Sequence, residues 1–145
     1  MFSTIFNIAA NAMSANRLRI NTIASNIANA ETTRTPEGGP YKRRDVVFSA
    51  TDIKPEGFEN VLDQATLKSV KVSAVTADNS EPTLVYDPGH PDADKVTGMV
   101  AMPNINPVTE MVNLMTASNA YKAAAEVVTT TKEMSSALRG IAERG

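Results

Sequence analysis

The sequence predicts a mainly α protein with a small β-rich insertion, in which long N- and C-terminal helices pack as a coiled-coil-like pair and flank a β-rich middle. Three observations carry this reading. Apolar residues recur every seven positions near both ends of the 145-residue chain, all 8 prolines fall between Pro36 and Pro107, and short alternating runs fill the stretch between. The helices together are expected to form one structural domain, built from an N-terminal helix over 1–32, an extended loop and small β-rich region over 33–106, and a C-terminal helix over 107–145.

The first helix rests on two lanes. Phe6, Met13, Ile20 and Ile27 make one, and Phe2, Ala9, Asn16, Ile23 and Ala30 the other. They alternate at spacings of four and three, which are the a and d positions of a heptad. With no Pro or Gly before Pro36, the helix is expected from about residue 2 to about residue 30, roughly 43 Å long. Asn16 is the one strongly polar seam position, either a surface residue at the edge of a drifting stripe or a register-setting contact. Asn26 and Asn29 share a face near the helix end, where their amides can satisfy late carbonyls or a neighbouring chain's backbone. Asn29 also suits the left-handed conformation that ends helices.

The C-terminal helix should start at Pro107, whose missing N–H is no loss in a first turn, with Asn106 as its N-cap. Ala117, Ala124, Thr131 and Leu138 form one lane, and Ala120, Val127, Met134 and Ile141 the other. Leu114, Tyr121 and Val128 widen the stripe, and Val108, Met111, Val112 and Met115 carry the apolar face of the first turns. Gly140 is the first breaker after Pro107, so the helix is expected over 107–140, roughly 50 Å.

Between the helices, ETTRTPEGGPYKRR at 31–44 holds two prolines and two glycines and fits no regular element. A short strand is expected over 45–51 around Val46, Val47 and Phe48, broken by Lys54, Pro55, Glu56 and Gly57. Over 67–78, Val70 and Val72 lie on one face and Val75 and Ala77 on the other, as in a strand with a bulge. Thr83 to Tyr86 and Val96 to Met102 read as two further strands, separated by the turn-rich DPGHPDAD.

Composition excludes several functions. A net charge of −2 implies no strong field, and Lys42, Arg43 and Arg44 read as a solvated loop. Nucleic-acid binding would need a larger basic face and aromatic platforms. With 0 cysteines there is no disulfide, thiolate metal site or cysteine nucleophile. The N-terminus lacks a basic n-region and its apolar residues are interrupted by Asn7, Asn11 and Asn16, unlike a Sec signal. No run approaches the roughly 18 apolar residues of a membrane span, so no direct membrane insertion is expected. The apolar set is Ala, Val, Ile and Met with no Trp, which gives a thin core at roughly 25 cal/mol per Å² buried.

Four stretches together resemble the flagellar basal-body rod proteins. Ser25-Asn26-Ile27-Ala28-Asn29-Ala30-Glu31-Thr32-Thr33 is similar to the N-terminal signature of rod and hook proteins. TRTPEGGPYKRRDVVF from Thr33 to Phe48, the run from Leu84 to Asp94 with Met102-Pro103-Asn104-Ile105-Asn106, and the tail starting Glu110-Met111-Val112-Asn113-Leu114-Met115 resemble the proximal-rod branch of that family. The resemblance implies a structural subunit, not an enzyme, that assembles helically into the drive shaft, transmits torque and encloses the export channel. It implies a place in the basal body's periplasmic rod, reached through the flagellar type III apparatus without a cleaved signal peptide. Expected partners are other rod subunits, the export-gate adaptor protein, the surrounding basal-body rings and further copies of the chain, with no cofactor. The assembly interface is expected at Phe6, Met13, Ile20, Ile23, Asn26, Ile27, Asn29 and Thr32, at Arg43 and Arg44, and at Met111, Leu114, Tyr121, Val127, Met134 and Leu138. The alternative from a different class is a cytoplasmic helical adaptor or export chaperone.

Asp87, His90, Asp92 and Asp94 are the best metal or acid/base candidates, but Pro88, Gly89 and Pro91 explain the run as a tight turn, and one His cannot build a two-His zinc site. No nucleophile elbow supports a hydrolase using this loop, and Gly38-Gly39 lacks the spacing of a phosphate loop. Arg34, Tyr41, Lys42, Arg43 and Arg44 are placed to pair with a neighbouring subunit's carboxylates. The Ala-rich seam and the β-branched run from Val127 to Thr131 weaken the helices taken alone. They should therefore order fully only on assembly, so dilute monomer should give weak helical circular dichroism and a broad melt. A strongly helical, cooperative melt would contradict this.

Overall fold

The computed structural model describes residues 2–53 and 67–142. Helix α1 spans Phe2–Ala28 and helix α2 spans Pro107–Ala142. Between them lie strands β1 (Arg44–Asp52), β2 (Lys68–Ala77), β3 (Thr83–Tyr86) and β4 (Met99–Met102). The strands form two antiparallel two-stranded sheets, β1 with β2 and β3 with β4. The break expected at 54–57 lies outside the described residues.

Helix α1 is held from two sides, by α2 on one and by β1 and β2 on the other. The strand side is marked by three polar residues spaced eight and seven apart, about two helical turns each. The Asn11 amide donates to Ser69 Oγ at 3.0 Å, the Arg19 guanidinium lies 5.7 Å from the centre of the Phe48 ring, and Asn26 meets Arg44. Buried apolar side chains among the described residues are Ala9, Ala15, Ile23, Val46, Val100 and Ala117. Three are alanines, so the core is as thin as the composition implies.

The heptad on α2 is real, but its second lane is not the expected one. The buried seam alternates Glu110, Leu114, Ala117, Tyr121, Ala124, Val128 and Thr131 at steps of four and three, each buried or half-buried. Ala117, Ala124 and Thr131 are in place. Their partner lane is Leu114, Tyr121 and Val128, which was expected only to widen the stripe. Ala120, Val127, Met134 and Ile141 point away, with Val127 at 46% and Ile141 at 70% exposure. A single partner helix covers one seam, so the wider stripe leaves its other edge in solvent. Helix α2 has 36 residues against 27 in α1, and its last turns, with Met134, Leu138 and Ile141, are exposed.

Asn106 caps α2 as expected, its Oδ1 accepting from the N–H groups of Val108 at 3.0 Å and Thr109 at 3.3 Å. The helix runs through Gly140, because a lone glycine costs only about 1 kcal/mol in a helix interior. Asn16 sets no register. Its amide donates to the Ala12 carbonyl one turn back at 2.9 Å. Asn29 donates to the Ser25 carbonyl at 2.8 Å, closing α1, and no non-glycine residue among those described has a positive φ, so Asn29 is not a left-handed cap.

The β1–β2 register steps at Val47/Phe48, where Val47 pairs with Ala74 and Phe48 with Val72. Ser73 is the unpaired residue, which is the bulge expected from the switch of faces between Val72 and Val75. Strand β4 begins at Met99 instead of residue 96, because Asp94 Oδ1 accepts from the N–H groups of Val96 and Thr97, both at 2.8 Å, and bends them into a turn. Gly98 closes that turn at φ 67°, where a Cβ would stand 2.9 Å from the Tyr86 ring.

Candidate assembly site

The most constrained part of the molecule lies where α1 ends, α2 begins and β1 starts. Asn26 is fully buried and Glu110 is 1% exposed. The Asn26 amide nitrogen donates to the Arg44 carbonyl at 2.8 Å and to Glu110 Oε2 at 3.0 Å. Its oxygen accepts the Arg44 N–H at 2.9 Å and the Tyr41 hydroxyl at 3.2 Å. A side-chain amide has two donors and two lone pairs, so all of its capacity is used. Toward Arg44 it behaves as a short piece of strand, binding both backbone groups of one residue.

Glu110 closes the knot. Its Oε1 accepts from Arg43 Nε at 2.9 Å and from the Asn113 amide at 3.5 Å. A carboxylate this buried costs several kcal/mol in desolvation unless it is paired and hydrogen-bonded. Its place in the first turn of α2 adds the favourable end of the helix dipole. Burial alone would lower the Arg43 pKa, but the hydrogen bond and charge of Glu110, with Asp45 at 3.4 Å, outweigh it and raise the value.

A second tie joins the 33–34 segment to the turn-rich loop. Asp92 accepts from Thr33 Oγ1 at 2.8 Å and pairs with Arg34 at 2.7 Å. The Asp92 N–H donates to His90 Nδ1 at 3.1 Å, and Asp87 Oδ1 accepts from the Gly89 N–H. The side chains of Asp87, His90 and Asp94 thus bond within the turn and that of Asp92 ties it to the 33–34 segment, and no metal-holding cluster occurs among the described residues. Hydrogen bonds from Ser80 lower the pKa of Asp78, and those from Thr97 and Val96 lower that of Asp94. Their support for the turns is complete above the ordinary carboxylate pKa and is lost as pH falls through the depressed value.

The expected interface residues separate into two groups. Ile23 and Asn26 are buried within the subunit, and Phe6, Met13, Ile20, Ile27, Asn29, Thr32, Leu114 and Tyr121 are half-buried. Arg43 pairs with Glu110, and the exposed Arg34 with Asp92, within the same chain. Arg44 is exposed, 6.0 Å from the Tyr41 ring. Met111, Val127, Met134 and Leu138 are exposed by 53%, 46%, 56% and 53%. Glu110, Tyr41 and Asp92 were not anticipated as tie points. Stepping seven residues back along the Ala117–Ala124–Thr131 lane lands on Glu110, an acid on a buried seam, which was the available signal.

Residues 6–34 match the family described as flagella basal body rod protein, and residues 96–141 match the C-terminal family of the flagellar basal body rod FlgEFG proteins. The chain is 42% identical over 142 residues to the flagellar basal-body rod protein FlgC of Borreliella burgdorferi, covering 92% of each. It is 45% identical over 130 residues to FlgC of Salmonella typhimurium, covering 90% of each. The chain belongs to the FlgC family of flagellar basal-body rod proteins. FlgC of Bacillus subtilis is 38% identical over 138 residues, covering 88% of this chain and 89% of its own. A FlgC-family chain is a structural rod subunit and not an enzyme. The first match covers α1 from residue 6 and runs on to residue 34, and the second covers β4 and α2 to residue 141, so Asn26 and Glu110 fall one in each.

Removing Arg43 leaves the buried Glu110 carboxylate without its cation, whereas Arg44 hydrogen-bonds in the knot through its backbone and keeps an exposed side chain. Arg43→Ala should destabilise the subunit by about 3–5 kcal/mol, and Arg44→Ala by no more than about 0.5 kcal/mol. Urea midpoints for loss of the helical signal in purified rods carrying each variant measure the difference, and equal midpoints would contradict it.

Proposed function

We propose that this chain is a proximal-rod subunit, assembling helically into the shaft that transmits torque and encloses the export channel. In this reading α1 and α2 form the inner, channel-facing layer, and the β-rich 33–106 region lies further out. The periplasmic rod is reached through the flagellar type III apparatus. The partners are other rod subunits and further copies of this chain, the export-gate adaptor and the surrounding rings.

The observation that carries this reading is the outward face of α2. Val108, Met111, Val112 and Met115 lie at steps of three, one and three in its first turns, exposed by 69%, 53%, 57% and 66%. Met134, Leu138 and Ile141 repeat the pattern in its last turns at 56%, 53% and 70%. Apolar stripes at both ends of one helix suit a subunit that is bound along its length by neighbours. Among the described residues no helix is long and apolar enough to cross a membrane, so these stripes are not a span.

Met115→Glu and Leu138→Glu alter exposed positions and should change subunit stability by no more than about 0.5 kcal/mol. They should nonetheless abolish motility and remove the subunit from purified basal bodies. Cryo-electron microscopy of wild-type basal bodies should place the chain in the proximal rod with both termini facing the channel. Complete rods that lack the chain would favour the adaptor reading.

A further inference from the structure

Helices α1 and α2 run antiparallel from the Asn26–Glu110 contact, and Met13 and Tyr121 line one crevice further along the pair. Helix α1 therefore runs out at Phe2 opposite about residue 133 of α2. Past that level α2 continues to Ala142 with no α1 residue beside it among those described. The seam continues with it. Leu138 is the next step of the Ala117–Ala124–Thr131 lane, and Met134 and Ile141 stand one turn before it and one turn after. This tail stripe is a helix seam from which the covering helix has ended.

The first turns of α2 carry a stripe of the same form. Val108, Val112 and Met115 are spaced by four and three, as are Met134, Leu138 and Ile141, and all six are exposed. Val112 stands two residues from both Glu110 and Leu114, so this head stripe faces away from α1 and can be covered without displacing it. Between the two stripes Lys122, Glu126, Lys132 and Glu133 are exposed, and Val127 is the single exposed large apolar residue. Pairing along the whole helix would bury those charges, whereas overlap of the ends leaves them in solvent.

The position of each stripe fixes the polarity of such an overlap. A helix laid antiparallel on the tail by its first turns would run back into the space that α1 fills. Laid parallel, it begins at the level where α1 stops and runs on past Ala142, on the side that α1 has left. Equal four–three spacing lets the two stripes interlock as a short parallel coiled coil.

The partner follows from the place in the shaft. A subunit confined to the proximal segment meets other chains at its ends. The match to the C-terminal family of the FlgEFG rod proteins covers residues 96–141 and takes in both stripes, so the helix that carries them is an element shared with differently named chains. We infer that the tail stripe at Met134, Leu138 and Ile141 receives, in parallel, the first turns of the C-terminal helix of a different rod subunit, and that Val108, Val112 and Met115 receive such a tail in turn. This rests on the proposed place in the proximal rod and names the surfaces that join it to its axial neighbours. The contact is heterologous, tail to head, so it can pass from chain to chain along the shaft.

The test places the photoreactive residue p-benzoylphenylalanine at Met134, Leu138 or Ile141 in turn. Cells are irradiated, basal bodies are purified, and the crosslinked residue is mapped by mass spectrometry. The Leu138 adduct should fall in the first turns of the C-terminal helix of another rod protein. The Met134 adduct should lie nearer the start of that helix than the Ile141 adduct. The same probe at Val112 should map to the last turns of a C-terminal helix in another rod protein, and it decides alone if the tail variants do not assemble. Adducts on this chain, on a ring protein or on the β-rich part of a rod protein would overturn the inference and leave the rod assignment standing. So would the reverse order of adducts along the helix. Absence of the wild-type chain from basal bodies that are otherwise complete would overturn the rod assignment, and the inference with it.

Discussion

Glu110 places a carboxylate in a buried position, and the polar partners gathered by Asn26 make this possible. At 1% exposure the carboxylate has no bulk water to solvate it. Arg43 supplies the countercharge, and the Asn26 amide supplies a hydrogen bond to the other oxygen at 3.0 Å. The same amide grips both backbone groups of Arg44, so the first residue of β1 is fixed by the residue that fixes α2 against α1. Three elements far apart in sequence share one set of polar valences. None can leave without orphaning a buried group in another, and each orphan costs about 1–3 kcal/mol.

Away from this knot the packing weakens. The seam descends through Ala117 and Ala124 to Thr131, small or polar side chains that allow close approach and bury little area. Thr131 donates to the Val127 carbonyl at 2.7 Å, a bond to its own helix that adds nothing between helices. The outer face of α2 keeps its large apolar residues in solvent at both ends. A subunit built this way is fixed at one end by polar chemistry and incomplete along its length. Neighbours can complete it, which suits a protein whose stable form is an assembly and not a monomer.

Much of this architecture was legible in the sequence because it follows from periodicity and punctuation. The heptads set both helices, Asn106 and Pro107 set the start of α2, and the change of face between Val72 and Val75 located the bulge. Other features were illegible for physical reasons. A stripe wider than one seam does not say which edge a single partner will cover, so Val127 and Met134 were put in the seam and Val128 was not. A cationic loop does not say whether a carboxylate of its own chain lies within reach, and that Glu110, 67 residues away, holds Arg43 depends on the tertiary fold. Asn26 was singled out for reaching backbone groups at a helix end. That its backbone partner would be Arg44 depends on a tertiary fold that local pattern cannot supply.

Native-state hydrogen exchange at the Arg44 amide of the assembled subunit tests the central role of the knot most directly, because that N–H donates to Asn26 Oδ1 inside it. If the knot is the last part of the subunit to open, Arg44 exchanges as slowly as the amides of Ile23 and Ala117 in the helix pair, through the same global unfolding. Fast exchange at Arg44 while Ile23 and Ala117 stay protected would show that the loop detaches independently and that the helices do not depend on it.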